Sequence, residues 1–429
     1  MAHTLTYKQA VARLGEAMMF GINPSLDGIR ALTDALGNPQ GSFKCIQVTG
    51  TNGKTSVTRV AAAALIANGY RAGAYTSPHL VSYTERIEVD GKPVSEDEFA
   101  AAIAEACAAA DSLAGSFTEF ELLTAAALWL FRERRVQYAC LEVGMGGRWD
   151  ATSVVSPVVA VITGVALDHT DRLGTTREEI AADKACIIKP GSVAIIGPGC
   201  VGVEDILLAR AAEVGAPAIR VAERDAEVTY RIIRRPRRLN GPLTLQMDAM
   251  RVMPPFRLYA PSYQAPNVVM GVSAVGAATW AICDVPALQA ALCKLTFPGR
   301  FEVLSTEPPL VIDGAHNPEA AGVLAGAIAE VFGANKPTVV LGVLADKDVG
   351  GIVRALAPVA SAFIATENTS RRCASASDVA NVIERVTGVR ALAEPSLHSA
   401  LAVAGQGGQG VVVTGSLYTA GETRALLLG

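Results

Sequence analysis

Short apolar runs alternate with longer segments of helical periodicity along most of the chain. A helix is predicted from Lys54 to Asn68, where Gly69 supplies a C-terminal stop. Runs rich in Val and Ile predict strands that are buried on both faces: CIQV (45–48), YACLEV (138–143), VVAVITGVAL (158–167) and SVAIIG (192–197). Alternation of strands and helices is typical of βαβ units, so we expect an α/β fold with a doubly wound, mostly parallel sheet of the P-loop type.

The same rhythm restarts after about residue 290. The Ala-rich segment 319–332 predicts a helix, and the strands of a second sheet are predicted at PLVID (309–313), PTVVLGV (337–343), SAFIAT (361–366) and GVVVTG (410–415). We therefore expect a first domain of residues 1–292 and a smaller, Rossmann-like α/β domain of residues 293–429.

Residues 223–262 interrupt this pattern. The stretch is rich in Arg and Pro, and its two apolar segments flank Asn240-Gly241, a pair typical of hairpin turns. We expect a small antiparallel β insertion at the edge of the first domain.

The composition of the chain argues against some classes of binding partner. The chain has 429 residues, of which 50% are hydrophobic and 18% charged, with a formal net charge of −4. No excess of cations is present to neutralise nucleic-acid phosphates. The eight cysteines form no CxxC pair, which favours buried thiols in a reducing compartment. The first residues lack the apolar stretch of a signal peptide, and no run approaches a membrane span. We expect a cytoplasmic monomer without nucleic-acid or membrane partners.

The segment VTGTNGKTSV (48–57) combines a strand, a loop of small residues and the start of a helix. Such a loop lets backbone N–H groups approach an anion at a helix N-terminus. Lys54 would neutralise phosphate charge, and Thr55 could offer its hydroxyl to Mg²⁺. The candidate nucleotide-binding residues are Gly50, Thr51, Asn52, Gly53, Lys54, Thr55 and Ser56. The generic P-loop pattern is not strictly met, because its first glycine falls at Val48; the alternative is a turn followed by a helix cap.

Polar residues at the ends of the next strands are candidates for metal and acid chemistry. Glu142 ends YACLEV, and a carboxylate there suits Mg²⁺, although a salt-bridged Glu is the alternative. His169 follows VVAVITGVAL, where an ordinary hydrogen-bonded histidine is the alternative. Lys184 lies in the apolar run AADKACI, and lysine is rarely buried without a partner. On spacing alone, the preferred interpretation is a surface lysine of the helix REEIAADKA.

Eight motifs, taken in order, resemble those of the folylpolyglutamate synthase family, in its bacterial form that is also a dihydrofolate synthase. This family is related to the Mur peptidoglycan ligases. The resemblance covers about residues 20 to 420 and is weak between 200 and 260. The motifs are GTNGKTS (50–56), SPHLVSYTERI (77–87), LEVGMGGRWDAT (141–152), LDHTDRLG (167–174), DKACI (183–187), FPGRFE (297–302), IDGAHNP (312–318) and GVLADKD (342–348).

The resemblance implies an ATP-dependent ligase that joins a carboxylate to an amine through an acyl phosphate. It would add L-glutamate to dihydropteroate and then further glutamates to folates. By the same resemblance, Glu142 and Ser77 hold the Mg²⁺ on ATP, and Glu142 and His169 hold a second Mg²⁺. The resemblance also assigns catalytic roles to Lys54, Glu142, His169 and Lys184. It implies that Lys184 is carbamylated by CO₂. Cys186 departs from the glycine expected near it.

Other ATP contacts are implied by resemblance in the later part of the chain. They are Asn267 in QAPN, Arg300 in FPGRFE, and Asp313 and His316 in IDGAHNP. An Arg from the second domain would stabilise phosphoryl charge. The alternative for the last motif is a turn at the end of a strand, since Asp, Gly, Asn and Pro are turn residues.

The pterin or folate site is expected at Asn23, Pro24 and Ser25, at Phe120 and at Asp150. Residues 23–25 depart from the Asp-Leu-Gly of the family. Phe120 could stack on a flat ring, with core packing as the alternative. Asp150 could accept hydrogen bonds from the amino and N–H edge of a pterin.

Three other functions remain open. One is a folylpolyglutamate synthase that does not add glutamate to dihydropteroate, which would fit the divergent residues 23–25. A Mur-type ligase acting on a UDP-linked carboxylate would need an N-terminal domain before the loop, which here begins at Gly50. A P-loop ATPase or regulatory nucleotide-binding module would not need Glu142, His169 and Lys184 at successive strand ends.

Overall fold

A computed structural model describes residues 5–18, 24–249, 254–280 and 284–428. The helices are α1 Tyr7–Ala17, α2 Asp27–Ala35, α3 Lys54–Ala67, α4 Glu96–Asp111, α5 Glu119–Glu133, α6 Thr170–Leu173, α7 Arg177–Lys184, α8 Glu204–Glu213, α9 Ala265–Thr279, α10 Val285–Lys294, α11 Pro318–Phe332, α12 Val349–Leu356, α13 Ala376–Thr387, α14 Leu397–Gly405 and α15 Leu417–Leu428. The strands are β1 Lys44–Thr49, β2 Ala72–Tyr75, β3 Ile87–Val89, β4 Lys92–Pro93, β5 Tyr138–Glu142, β6 Val159–Gly164, β7 Val193–Gly199, β8 Ala218–Ala222, β9 Val228–Arg234, β10 Leu243–Asp248, β11 Phe256–Leu258, β12 Glu302–Thr306, β13 Pro309–Ile312, β14 Thr338–Leu341, β15 Ala362–Ala365, β16 Leu392–Ala393 and β17 Val411–Thr414.

The larger sheet has 11 strands in the order β11-β10-β9-β8-β7-β6-β1-β5-β2-β3-β4. Strands β8 to β2 in that order pair in parallel, and β3 and β4 add an antiparallel edge. The predicted α/β class and the mostly parallel sheet are therefore confirmed. Strand β1 lies between β6 and β5. The chain runs from β1 to β2 on one side and later from β5 back to β6 on the other side, so the strand order reverses here. Ligands of doubly wound sheets bind at the carboxyl ends of the strands at such a point.

The second sheet has six strands in the order β12-β13-β17-β14-β15-β16. All of its pairs are parallel except β12 with β13 at one edge. Its central strands coincide with the apolar runs that predicted them, because each is covered by helices on both faces.

Strand β2 has no Val or Ile and is therefore absent from the apolar pattern. Its sequence AGAY is fully buried, and a Cβ atom on Gly73 would lie 2.5 Å from the ring of Phe131. Helix α5 packs so closely here that β2 needs small side chains, which carry little strand signal.

The chain divides into two compact units. The first comprises residues 1–231, 246–254 and 266–292, and the second comprises residues 232–245, 255–265 and 293–429. The segment predicted as an insertion forms β9 to β11, with β10 and β11 antiparallel. Residues 232–245 of this segment belong to the second unit, and Leu239 among them packs against that unit's core. Among the described residues, no helix is long and apolar enough to cross a membrane.

Candidate active site

The loop between β1 and α3 adopts backbone angles that favour glycine. Gly50 has φ +149° and Gly53, which caps α3, has φ +86°. The Lys54 ammonium turns back over the loop and donates to the carbonyl oxygens of Gly50 at 2.9 Å and Thr51 at 3.2 Å. The cation and the N-terminus of α3 thus lie at one place, an arrangement suited to binding phosphate.

The end of β6 holds this loop. Thr163 donates its hydroxyl to the carbonyl of Asn52 at 2.5 Å, and the Thr51 amide donates to the Gly164 carbonyl at 2.9 Å. The Thr51 hydroxyl donates to the Ala166 carbonyl and accepts from the Ala166 amide. Thr163 was missed by the sequence analysis, although it is the single polar residue of the run VVAVITGVAL.

Asn267, in α9, lies against the same loop. A Cβ atom on Gly53 would be 2.6 Å from Asn267 Oδ1. The side chain of Asn267 is buried, with 8% of its surface exposed. The structure therefore brings Asn267 to the loop between β1 and α3.

We expect Gly53→Ala to weaken nucleotide binding by about tenfold, equivalent to roughly 1.4 kcal/mol. The new methyl group would collide with Asn267, and an L-residue in this conformation costs about 1 kcal/mol. Titration calorimetry with ADP measures the change. Gly69→Ala is the matched control, because Gly69 has φ +81° with no atom within 4 Å of the added Cβ. If Gly53→Ala and the wild type bind ADP equally, the close approach to Asn267 is irrelevant to binding.

Glu142 lies at the carboxyl end of β5 with only 2% of its surface exposed. Its Oε1 accepts from the Thr55 hydroxyl at 3.0 Å, and its Oε2 accepts from the Ser77 amide at 3.2 Å. The Thr55 hydroxyl, the Glu142 carboxylate and the backbone of Ser77 are thereby gathered beside the loop. Mg²⁺ prefers such oxygen ligands and commonly keeps several waters, so these residues fit one Mg²⁺ ion bound together with phosphates.

Lys184, the last residue of α7, is buried, with 3% of its surface exposed. Burial, the larger cause, and the charge of Lys54 together lower its pKa to about 7, and the charges of three aspartates, Asp183, Asp168 and Asp150, oppose that shift. No acceptor or acidic partner contacts its ammonium within the described part of the chain. By contrast, Lys189 donates to the Val155 carbonyl at 2.6 Å. The alternative of a surface lysine at position 184 is therefore wrong.

The GMGG turn fixes the end of α7. A Cβ atom on Gly147 would lie 3.0 Å from the carbonyl oxygens of Asp183 and Lys184, a contact tighter than most side chains make, so glycine suits this close approach. The Arg148 amide donates to Asp183 Oδ1 at 3.3 Å, and the Gly146 carbonyl accepts from Thr49 at 2.6 Å. This turn connects β1 to the backbone of Lys184. The repeated glycines were the available sequence signal.

His169 begins α6 with φ +49°, and its side chain is 44% exposed. Its amide donates to Asp168 Oδ1 at 3.0 Å, and its Nε2 lies 3.9 Å from Asp168 Oδ2. The charge of Asp168 also raises the pKa of Lys184, against the larger effect of burial. Within residues 5–18, 24–249, 254–280 and 284–428 no three His, Cys, Asp or Glu side chains form a metal cluster.

Phe120 and Asp150 meet around Gly144, two residues after Glu142. A Cβ atom on Gly144 would be 2.8 Å from Phe120 Cζ and 3.1 Å from Asp150 Oδ2. Phe120 is partly buried against the core, and its ring centroid lies 6.0 Å from that of Tyr75. The Asp150 carboxylate accepts from the Met145 amide and from both the amide and hydroxyl of Thr152, so it organises its own turn.

Residues 23–25 are described only in part. Asn23 lies outside the described residues. Pro24 is exposed, and the Ser25 hydroxyl accepts from the Asp27 amide at 3.0 Å. The hydroxyl of Ser25 is thus engaged at the start of α2.

In the second unit, Asp313 follows β13 and is 5% exposed. Its carboxylate accepts from the Phe301 amide at 2.7 Å and from the Ala315 amide at 2.8 Å. Burial raises the pKa of Asp313, and the charge of Arg300 opposes that rise. His316 Nδ1 lies 2.9 Å from the Gly314 carbonyl. The structure thus brings Arg300 and Asp313 together, with His316 on the same turn.

Comparison with known proteins agrees with this geometry. Residues 48–197 match the Mur ligase middle domain, and residues 299–417 match the Mur ligase glutamate ligase domain. The dihydrofolate synthase/folylpolyglutamate synthase of Mycobacterium tuberculosis is 37% identical over 94% of this chain and 90% of its own.

Two solved structures are similar throughout. Mycobacterium tuberculosis folylpolyglutamate synthase complexed with ADP has a TM-score of 0.91 and 37% identity, and 98% of each chain is covered. A bifunctional folylpolyglutamate synthase/dihydrofolate synthase with Mn, AMPPNP and L-glutamate bound has a TM-score of 0.85 and 30% identity, and 100% of each chain is covered. The chain therefore belongs to the dihydrofolate synthase/folylpolyglutamate synthase family of Mur ligases.

Proposed function

We propose that the protein is an ATP- and Mg²⁺-dependent amide ligase that adds L-glutamate to dihydropteroate and further glutamates to folates. The observation that carries this proposal is the meeting of Lys54, Thr55 and the buried Glu142 at the carboxyl ends of β1 and β5. Relatives that carry both activities in their names, and one bound to L-glutamate, support the choice of substrates.

The reaction has two steps. A carboxylate oxygen of the acceptor attacks the γ-phosphorus of ATP, which gives an acyl phosphate and ADP. The amine of glutamate then attacks the acyl carbon, loses a proton and displaces phosphate. Both partners of the first step are anions, so Lys54 and the N-terminus of α3 would offset their repulsion. Thr55, Ser77 and Glu142 would hold Mg²⁺, which supplies further neutralisation of phosphate charge.

Lys184 would act as a carbamate. A neutral amine attacks CO₂ and releases a proton, so the buried cation becomes an anion. Its burial and its depressed pKa both favour this reaction, because the ammonium has no carboxylate or carbonyl partner among the described residues. The carbamate oxygens would hold a second Mg²⁺ together with Glu142 and His169. They would also relieve the repulsion between Lys184 and Lys54.

The rate of carbamate formation should rise with pH through about 7 and then level off. Only the neutral amine reacts, and the pKa of Lys184 is about 7, so most of the amine is neutral by pH 8. An ordinary lysine, with a pKa of about 10.4, would continue to gain about tenfold per pH unit. The ¹³C NMR signal after adding ¹³CO₂ at fixed concentration to CO₂-stripped protein measures the rate. A rate still climbing tenfold per unit above pH 8 would contradict the proposal.

The remaining predicted residues receive binding roles. Asn267, Arg300, Asp313 and His316 would contact ATP, together with the loop residues 50–56. Phe120 would stack on the pterin. Asp150 would accept hydrogen bonds from the pterin through the carboxylate lone pairs that the hydrogen bonds of its own turn do not use. Pro24 and Ser25, with Asn23, would border the same ligand.

The direct test is coupled ADP release with dihydropteroate, tetrahydrofolate or a UDP-muramoyl acceptor, each with and without L-glutamate. We expect glutamate-dependent release with the first two acceptors. Activity with tetrahydrofolate alone would leave a folylpolyglutamate synthase, the second candidate, which the divergent residues 23–25 favour. Glutamate-dependent release with neither pterin acceptor would refute the assignment.

We expect the protein to act as a monomer in the cytoplasm. Seven cysteines in the described ranges are free thiols, which is typical of a reducing compartment. One chain also carries every residue to which a role is assigned above.

A further inference from the structure

Gln47 is a polar side chain inside the apolar run that forms β1, and 0% of its surface is exposed. Thr49, two residues further along the strand, lies on the same face of the sheet. Its hydroxyl donates to the Gly146 carbonyl of the GMGG turn at 2.6 Å. Buried polar groups are nearly always hydrogen-bonded, so the partners of Gln47 show what else this face of β1 holds.

The side-chain amide of Gln47 contacts two buried hydroxyl groups of the same unit. Its Nε2 atom lies 3.1 Å from Thr152 Oγ1 and 3.1 Å from Ser153 Oγ. On its other side, Thr152 Oγ1 lies 2.5 Å from Asp150 Oδ1. Ser153 Oγ likewise lies 2.6 Å from the Gly147 carbonyl oxygen. One glutamine thereby connects a candidate pterin-binding carboxylate to the GMGG turn.

The outer partners fix the direction of these hydrogen bonds. A carbonyl oxygen carries no hydrogen, so Ser153 must donate to Gly147 and has only lone pairs left for Gln47. The group of Gln47 that faces the two hydroxyls is therefore its NH2 group and not its carbonyl oxygen. The second amide hydrogen points to Thr152, whose own hydrogen then points to Asp150. Both hydroxyls are thus turned away from β1 and toward the site.

The other end of the Gln47 amide gains nothing from this position. Within the described part of the chain, its buried Oε1 atom accepts no hydrogen bond. A buried oxygen without a partner costs stability. A glutamine in this place is therefore explained by the two hydrogens that it donates.

We propose that Gln47 is a positioning residue that sets the direction of the hydrogen bonds at Asp150 and at the GMGG turn. The inference rests on the proposed function. The amide and the hydroxyl of Thr152 both donate to Asp150 Oδ1 and fill its lone pairs. Asp150 Oδ2 is the oxygen near Gly144, 3.1 Å from an added Cβ atom that would also contact Phe120. Gln47 thereby holds Oδ1 in its own turn and leaves Oδ2 for the acceptor substrate.

The test reverses these hydrogen bonds with little change of shape. In Gln47→Glu the carboxyl group has no hydrogen to donate when ionised and a single one when protonated, so at least one hydroxyl must turn back toward residue 47. We expect kcat/KM for dihydropteroate to fall about tenfold, the effect of losing one hydrogen bond to a charged group. Gln47→Met fills the same space without accepting strongly, so it should lower kcat/KM less. A role in packing alone would make the glutamate variant the milder one.

The two hydroxyls provide a second readout. Thr152→Val should raise KM for dihydropteroate about tenfold and leave KM for ATP within about twofold of wild type. In a Thr152→Val/Ser153→Ala background no hydroxyl remains to be reversed. Adding Gln47→Glu there should change kcat/KM by less than about twofold.

Gln246→Glu is the matched control, because it places the same group at another buried glutamine of the first unit, on β10. It should leave kcat/KM unchanged, whatever its melting temperature. The inference is overturned if this control has an equal effect, if Gln47→Met is the more damaging variant, or if the effect of Gln47→Glu persists without the two hydroxyls. Should Gln47→Glu not fold, an unchanged KM for dihydropteroate in Thr152→Val overturns it.

Glutamate-dependent ADP release by the wild type tests the proposed function separately. The directions of the hydroxyl groups can be tested without any substrate, by neutron diffraction from crystals of the wild-type protein. Deuterium on Ser153 should point to the Gly147 carbonyl. Deuterium pointing to Gln47 instead would overturn the inference even in an active ligase.

Discussion

Lys184→Ala should lose about a thousandfold in kcat, because it removes the group that we propose to be an anion at the metal site. The substitution leaves no buried charge without its partner, since the ammonium of Lys184 has no partner in the described structure. The variant should therefore fold, with a melting temperature close to that of wild type. ADP release with tetrahydrofolate and L-glutamate measures kcat, and thermal unfolding measures stability.

Short carboxylates should restore part of the lost activity. Acetate or formate can occupy the space that the lysine side chain leaves and can supply an anion in place of the carbamate. Lys189→Ala is the matched control, because it removes another lysine, a partly buried one that donates to backbone carbonyls. That variant should lose stability and gain nothing from added carboxylate. Failure of every short carboxylate to restore activity in a folded Lys184→Ala protein would exclude the carbamate.

Glu142→Gln should lower kcat by about a hundred- to a thousandfold while the fold is kept. The amide can still accept from the Ser77 amide and can donate to the Thr55 hydroxyl once that hydroxyl rotates. Both hydrogen bonds survive, so the substitution isolates the loss of charge at a site that would hold Mg²⁺. Steady-state ADP release over a range of Mg²⁺ concentrations measures kcat and the metal requirement.

Glu133→Gln, on the exposed end of α5, is the control for removing one negative charge from the first unit. It should leave kcat and the Mg²⁺ requirement unchanged. A Glu142→Gln protein with at least a third of wild-type kcat at ordinary Mg²⁺ would remove Glu142 from the proposed metal site.

The sequence determined the class of fold and the strand ends that carry the site. Central parallel strands are buried on both faces, so β1, β5 and β6 appear as predominantly apolar runs. Polar residues directly after such runs must lie at one edge of the sheet. For that reason the loop at residues 50–53 and Glu142 could be predicted to be neighbours. Strand β2 could not be predicted from the apolar pattern, because its contact with Phe131 requires small residues, which carry little strand signal.

Only the tertiary structure decided the environment of Lys184. Spacing alone favoured a surface lysine of an ordinary helix, since the charged residues of REEIAADK are typical of the solvent-facing side of a helix. The GMGG turn, 37 residues earlier in the chain at Gly147, packs against the backbone of Lys184 and helps to bury it. Burial then shifts its pKa to about 7. Desolvation depends on every atom around a group, so no local pattern of residues can specify it.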